Sequence, residues 1–162
     1  MENHWILMKA HHKASGNLVS MFNIYVHVMF IEKKQCWDSI STLENEICME
    51  NIIIAGDLNL TLSPKERKGG FRVRAPSREW VDNLIHDWDL MDIKPTNDLF
   101  TWTNRRTRPG HIAARLDRFL DQSSFLLQGL QARSSILPLG VSDHQPINLE
   151  LKEVLNLGPI PF

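Results

Sequence analysis

Three short segments of the sequence carry polar side chains whose types and spacing suit chemistry at a phosphate group. Asp57 and Asn59 follow a run of apolar residues, Asp117 stands between two arginines, and Asp143 directly precedes His144. Carboxylates at strand ends can hold a hard divalent cation, while an asparagine and an imidazole can stabilise the oxygens of a phosphate. Together these groups are the parts that hydrolysis of a phosphodiester needs.

Each segment taken alone also has a purely structural interpretation. Asp57 and Asn59 are typical of turns, because their side chains hydrogen-bond to nearby backbone. Asp117 between Arg115 and Arg118 is typical of an ion pair at the protein surface. The Asp–His pair of the third segment is compatible with an ordinary loop. The combination of the three segments, rather than any one of them, favours a catalytic site.

The elements that position these side chains follow from the hydrophobic pattern. The apolar run at 52–55 predicts a central strand buried on both faces, and residues 18–30 predict one or two further strands. Apolar spacings of three and four predict helices over 31–49 and 78–88, the second with Ser77 as its N-cap. In the first helix, charged residues such as Lys33 are assigned to the polar faces. Shorter strands are predicted at 90–93, 99–103, 115–120, 131–137 and 145–151.

The composition restricts the remaining possibilities. The chain has 162 residues, of which 43% are hydrophobic, and its two cysteines lack a CxxC spacing. We therefore predict one ordinary globular domain without a disulfide framework. The longest apolar stretch, 21–31, is much shorter than the roughly 20 residues that span a bilayer. Residues 1–13 lack the pattern of a secretion signal, so we expect an intracellular protein, nuclear or cytoplasmic, with no membrane partner.

Basic residues are concentrated in the middle of the chain, although the formal net charge is only −1. They cluster in 65–78 and 104–118, and the first cluster overlaps a long loop predicted over 60–76. Such basic loops attract the phosphates of nucleic acids, although many are only solvated surface. The candidates for contacting DNA, or else RNA, are Lys65, Arg67, Lys68, Arg72, Arg74, Arg105, Arg106 and Arg108.

Taken together, these segments resemble the endonuclease/exonuclease/phosphatase superfamily, and in particular the endonuclease domains of plant non-LTR (LINE-type) retrotransposons. The resemblance covers about residues 18–151. It rests on NIYV at 23–26, GDLN at 56–59, FTWTN at 100–104, ARLDRFL at 114–120 and SDHQPI at 142–147. It implies an α/β fold, namely a partial four-layer sandwich of two packed mixed β-sheets flanked by helices, without the first strands of the family fold.

The resemblance also implies roles for individual residues. Asp57 and Asn59 correspond to the family residues that position the attacking water and the scissile phosphate. Asp143 and His144 correspond to the closing Asp–His pair, in which the carboxylate orients the imidazole. Asp117 corresponds to an aspartate that supports the active-site network.

Two further implications concern phosphate and metal binding. Tyr25 stands where apurinic-site nucleases of the family have a phosphate-contacting tyrosine. The implied cofactor is Mg²⁺ or Mn²⁺, with Asp57 and Asp143 as ligands. The principal metal ligand of the family, a Glu on a strand well before the position of Tyr25, has no counterpart in this sequence, so we expect weak metal binding and weak or no activity.

The resemblance divides the chain into a truncated domain over 18–152, a poorly ordered or unrelated start over 1–17 and a tail over 153–162. The predicted function is a divalent-metal-dependent phosphodiesterase that nicks DNA. A non-catalytic nucleic-acid-binding remnant, or a decayed transposon fragment, is the alternative. The FTWTN and RLDRF segments argue against a small-molecule phosphatase, because they resemble the nucleic-acid branch of the superfamily.

Overall fold

The structure is a computed structural model that describes residues 5–13, 15–43, 51–70, 78–107, 109–122, 130–138 and 140–153. Two strands precede each of the two α-helices, and only strands follow the second helix. In chain order the elements are β1 (Trp5–His11), β2 (Leu18–Tyr25), α1 (Phe30–Thr42), β3 (Ile52–Asp57), β4 (Arg67–Lys68), α2 (Arg78–Asp87), β5 (Leu90–Ile93), β6 (Trp102–Thr103), β7 (Ala113–Ala114), β8 (Asp117–Gln122), β9 (Leu130–Ile136) and β10 (Ile147–Glu153).

Five strands form a mixed sheet in the order β1-β2-β3-β8-β5. β2 and β3 pair in parallel, and α1 lies in the connection between them, as a parallel crossover requires. The other neighbouring strands pair antiparallel. Ile52, Ile53 and Ile54 of β3 have no exposed surface, which confirms the predicted central strand.

Apolar side chains cover both faces of this sheet. On one face α1 and α2 pack against Ile54 through a core that includes Trp37 and Val81. On the other face β9 and β10, an antiparallel pair, pack against Ile53 through a second core that includes Leu130. The α/β class and the two packed sheets predicted from the sequence are therefore confirmed. Within the described residues both helices cover the larger sheet.

The beginning of the chain differs from the sequence prediction. Residues 1–16 show no clear hydrophobic period, which predicted a poorly packed start, yet β1 pairs with β2 along its whole length. The ring of Trp5 lies 6.0 Å from that of Phe22 and contributes to the core. The period is hidden because the alternate residues Ile6 and Met8 are also apolar, although they are 64% and 48% exposed.

Other differences concern the ends of elements. The strand predicted at 99–103 is shortened to β6, because the backbone N–H groups of Leu99 and Phe100 turn toward the carboxylate of Asp98. Residue Ser77 and the tail beyond 153 lie outside the described residues, and the domain boundaries stay predictions. Among the described helices, none combines the length and the apolar character that crossing a membrane requires.

Asp121 is a carboxylate inside the core of the larger sheet. Its side chain is fully buried on β8, and this burial raises the pKa of its carboxyl group to about 7, against a smaller lowering effect of the Gln122 backbone N–H. The folded chain therefore binds a proton that the unfolded chain, with an ordinary carboxyl pKa of 3.8, has released. Under these conditions, stability falls as pH rises.

We expect the free energy of unfolding to decrease between about pH 4 and pH 7 and to keep its lower value above that range. Asp121→Asn is neutral at every pH, so it should lack this contribution and exceed the native chain in stability by roughly 2–4 kcal/mol above about pH 8. Urea unfolding of both chains across this range measures the difference. Parallel pH profiles for the two chains would contradict the prediction.

Candidate active site

Three neighbouring strands bring Tyr25, Asp57 and Asp117 side by side. Tyr25 at the end of β2 is paired with Asp57 at the end of β3, and Asp57 is paired with Asp117 at the start of β8. Paired residues on neighbouring strands project to the same face, so the three side chains line one edge of the sheet. Asp57 is buried, whereas Tyr25 is 53% exposed.

Gly56 allows the chain to reach this arrangement. Its φ is +126°, and a Cβ atom at this position would lie 2.1 Å from the carbonyl oxygen of Ile24. Only glycine permits β2 and β3 to approach so closely while the backbone turns toward Asp57. The glycine of the GDLN segment therefore has a backbone role.

Asn59 forms a turn around the carboxylate of Asp57. The Asn59 backbone N–H donates to Asp57 Oδ1 over 2.8 Å, and the side-chain Nδ2 donates to Val26 O over 2.9 Å and to Asp57 Oδ2 over 3.3 Å. The turn interpretation of this segment is therefore confirmed, and its role in a catalytic site stays a prediction. Both amide hydrogens of Asn59 have partners within the protein, so in this arrangement Asn59 positions Asp57.

His144 reaches the site from the loop just before β10. Its Nδ1 lies 2.9 Å from Asp117 Oδ2, and its Nε2 lies 3.9 Å from Asp57 Oδ2. The sequence predicted Asp143 as the partner of this imidazole, but the structure pairs the ring with Asp117. The Asp143 carboxylate instead accepts a hydrogen bond of 2.9 Å from Trp102 Nε1. This bond holds the pKa of Asp143 below its usual value.

Several opposing effects act on the pKa of the Asp57 carboxyl group. Burial raises the pKa of its carboxyl group, and the nearby carboxylate of Asp117 raises it further. The backbone N–H of Asn59, the imidazole of His144 and the ammonium of Lys33 act in the opposite direction. The pKa stays above the usual aspartate value, as expected for two carboxylates that share a partly buried site.

Lys33 is a site residue that the sequence did not reveal. It lies in the first turn of α1, is buried, and donates from Nζ to the carbonyl oxygen of Asn59 over 2.7 Å. Burial lowers the pKa of its amine, against an opposite effect of Asp57. A lysine beside an apolar helical stripe is normally solvated, so only the contact between α1 and the turn after β3 identifies this residue.

Asp57, Asp117 and His144 form a group that fits a divalent cation. Each offers one ligand atom, and the three atoms lie within 4.8 Å of one another. Two carboxylate oxygens suit Mg²⁺ or Mn²⁺, and an imidazole nitrogen is a better ligand for the transition metal. Asp143, the second metal ligand implied by the resemblance, is not in this group, because its carboxylate is directed to Trp102.

A network of buried ion pairs lies next to Asp117. Arg115 donates to both oxygens of Asp92 over 2.7 Å and to Glu66 Oε1 over 3.1 Å, and Arg118 donates to Glu66 Oε2 over 3.0 Å. Both guanidinium groups are fully buried. The alternative of a surface ion pair around Asp117 is therefore wrong, because the arginines pair with carboxylates that are distant in the sequence.

The same network fixes the segment that follows Asn59. Glu66 also accepts a hydrogen bond of 2.6 Å from the backbone N–H of Leu62, and Arg118 donates to the carbonyl oxygen of Leu60. Burial alone would raise the pKa of Glu66, but Arg118, the Leu62 N–H and Arg115 together hold it below the usual value. The segment after β3 is thus attached to the strand that begins with Asp117.

The basic residues predicted to contact nucleic acid have different surroundings. Arg105 donates from Nη2 to the carbonyl oxygens of Gly140 and Ser142 and so holds the loop that precedes His144. Four of the others are exposed: Lys65, Arg67, Lys68 and Arg106. The remaining three lie outside the described residues: Arg72, Arg74 and Arg108.

A small third sheet connects part of this basic surface to the site. Its strand order is β4-β7-β6. Arg67 pairs with Ala114, which in turn pairs with Trp102, and Trp102 forms an isolated bridge with His144. The backbone of Arg67 therefore lies two strand spacings, about 10 Å, from that of Trp102.

The fold is similar to that of solved structures that include an endonuclease/exonuclease/phosphatase family protein from Bacteroides thetaiotaomicron, with a TM-score of 0.53 and 16% identity. No family model matches the sequence, and no curated protein matches it. Among solved structures, the endonuclease domain of TRAS1, a telomere-specific non-LTR retrotransposon, is similar with a TM-score of 0.69 and 14% identity. The match covers 94% of this chain and 64% of that one.

Two further structures with this fold were solved with DNA. The 3′ phosphatase NExo from Neisseria, bound to a product DNA hairpin, has a TM-score of 0.61 and 18% identity, with 90% and 64% of the two chains covered. TDP2 of D. rerio, with a single-stranded DNA product, has a TM-score of 0.58 and 17% identity, with 90% and 61% covered. The present chain thus spans less than two thirds of the length of these three proteins.

Breaking the buried network should cost far more stability than breaking an exposed ion pair. Glu66→Gln leaves two buried guanidinium groups without one of their carboxylates, and we expect a loss of about 3 kcal/mol in the free energy of unfolding. Asp82→Asn removes the exposed pair with Arg78 and should cost less than about 1 kcal/mol. Urea unfolding midpoints compare the two variants, and equal losses would refute the assignment of the network.

Proposed function

We propose that this chain is a divalent-metal-dependent phosphodiesterase that nicks DNA with low activity. One observation carries the proposal. A ligand atom from each of Asp57, Asp117 and His144 lies within 4.8 Å of the other two, where β3 ends and β8 begins. The exposed Tyr25 beside Asp57 adds a hydroxyl group suited to a phosphate oxygen. The DNA products bound to NExo and to TDP2 support DNA as the substrate class.

In this proposal Mg²⁺ or Mn²⁺ would be held by the carboxylates of Asp57 and Asp117, which leaves His144 for the phosphate. When bound, the ion supplies Lewis acidity toward a phosphoryl oxygen and neutralises charge in the transition state. Asp143 then has a supporting role, because its hydrogen bond with Trp102 Nε1 fixes the loop that carries the imidazole.

The remaining roles follow from the contacts of the side chains. Asp117 accepts the hydrogen of His144 Nδ1 and so orients the ring, which leaves Nε2 directed toward the substrate. There it stabilises the charge that develops on the phosphate. Asp57, at the end of β3, positions and activates the attacking water. Asn59 and Lys33 hold Asp57 in position.

The proposed low activity follows from the number of charged oxygen ligands. Mg²⁺ prefers six oxygen ligands and loses its water reluctantly, and the described group brings only two carboxylates. Among the described residues, no glutamate joins this group. Nucleic-acid binding without cleavage is the second candidate, and the exposed Lys65, Arg67 and Lys68 favour it.

Nicking of supercoiled plasmid by the purified folded chain tests the proposal. We expect slow nicking in Mg²⁺ or Mn²⁺ and none in EDTA. His144→Gln and Asp57→Asn should each lower the rate by about 100-fold, because each removes a group that acts in the transition state. His86→Gln and Asp82→Asn, at exposed positions on α2, are the matched controls and should nick at the native rate.

Two outcomes would count against the enzyme. Nicking that persists in His144→Gln would indicate a contaminating nuclease. An intact plasmid, together with retained binding of DNA by the folded chain, would reject the endonuclease and support the binding function. Such binding should weaken steeply with salt, since phosphate contacts release counterions.

A further inference from the structure

Four consecutive apolar side chains are exposed where the chain passes from β2 into α1. We call them the apolar surface. Its members and their exposed fractions are Val28 (66%), Met29 (62%), Phe30 (46%) and Ile31 (69%). A folded chain leaves single apolar residues at its surface as a matter of course, but a contiguous group of large ones marks a contact site.

Folding does not account for this group. Met29 is the N-cap of α1 and makes no side-chain capping hydrogen bond. A Ser, Thr, Asp or Asn in that position would stabilise the helix by about 1 kcal/mol. The sequence thus has an exposed apolar residue where helix stability favours a small polar one.

The apolar surface adjoins the candidate active site. It begins three residues after Tyr25, which is paired with Asp57. The first turn of α1 carries Phe30. A hydrogen bond from Lys33 Nζ to Asn59 O attaches this helical turn to the turn formed by Asp57 and Asn59. The apolar surface therefore lies next to the candidate site.

An aromatic pair and a cation complete this surface. The ring of Phe30 lies 5.0 Å from that of Trp80 on α2, and Lys34 Nζ lies 5.7 Å from the centre of the Trp80 ring. The nearby carboxylate of Glu32 is paired with His27 over 2.5 Å. Aromatic rings that are exposed beside a cation are the arrangement on which unstacked nucleic-acid bases bind.

We propose that the apolar surface is a stacking site for an unpaired base next to the scissile phosphodiester. The inference rests on the proposed function and specifies its substrate: DNA with an unpaired or easily unstacked nucleotide, in preference to continuous duplex. Phe30 is the stacking residue, since its ring packs against Trp80 and is 46% exposed to solvent. Val28, Met29 and Ile31 cover the sugar and the neighbouring base edge.

Binding of fluorescently labelled DNA in EDTA tests the proposal independently of cleavage. The probes are a continuous duplex and the same duplex with a central gap that leaves one unpaired 2-aminopurine nucleotide. We expect the native chain to bind the gapped DNA more tightly and to quench its 2-aminopurine fluorescence. Phe30→Leu should lower affinity for the gapped DNA by about tenfold, the effect of one lost base–aromatic stack, without change for continuous duplex.

Three variants separate stacking from other effects. Phe30→Tyr keeps the ring and should retain the preference for gapped DNA. Met91→Ala, at an apolar position of β5 that is 48% exposed, should bind like the native chain. Thermal unfolding of Phe30→Leu shows whether the fold is intact, and Met29→Ala, which should weaken gapped binding severalfold, provides a second test if it is not.

Equal affinity of the native chain for both probes, or unchanged binding by both Phe30→Leu and Met29→Ala, would overturn the proposal. A native dimer that Phe30→Leu dissociates in sedimentation would assign the surface to a second copy of the chain and overturn it too. Failure of the plasmid assay with retained preference for gapped DNA would reject the proposed catalysis alone. Nicking without that preference would reject the stacking site alone.

Discussion

The pairing of β3 with β8 is the constraint on which the candidate site depends. It sets Asp57 opposite Asp117. The two carboxylates repel each other when both are charged, and burial of Asp57 raises the free-energy cost of its charged form. The surrounding groups offset this cost: the Asn59 N–H, the Lys33 ammonium and the His144 ring all favour the charged carboxylate. If the pairing register of β3 and β8 shifted by one residue, one of the two carboxylates would turn toward the core beneath α1 and α2. The same register therefore creates both the electrostatic tension and the capacity to hold a cation.

The buried ion pairs maintain this register from the side of β8 away from the site. Arg115 and Arg118 are close to Asp117 in the sequence, yet they pair with Glu66 and Asp92, which belong to the segment after β3 and to β5. Buried charges such as these are costly to separate, although an apolar replacement of the whole network would be similarly stable. The network thus couples three parts of the chain, so that the turn with Asp57 and the strand with Asp117 are held as one unit.

Exposed apolar and basic side chains lie on the two sides of the candidate site. On the β2 side are the apolar surface and the aromatic pair of Phe30 with Trp80. On the β8 side, the small sheet carries exposed basic residues such as Arg67 and connects through Trp102 to the His144 loop. In the proposed function, a DNA strand with its phosphate at His144 meets apolar contacts on one side and positive charge on the other. Base stacking and phosphate attraction would then act together.

The sequence by itself determined the buried central strand, the helices and the segments that contain the candidate site residues, because hydrophobic period and strand-end polarity are local properties. The two packed sheets were implied by the family resemblance. Only the tertiary structure decided which partners meet. His144 pairs with Asp117 rather than with its neighbour Asp143, because Trp102 holds the Asp143 carboxylate while the fold brings the His144 loop to the start of β8. Arg118 and Lys33 are buried for the same kind of reason. Their partners lie far away in the chain, and no local pattern records which distant group will neutralise a charge.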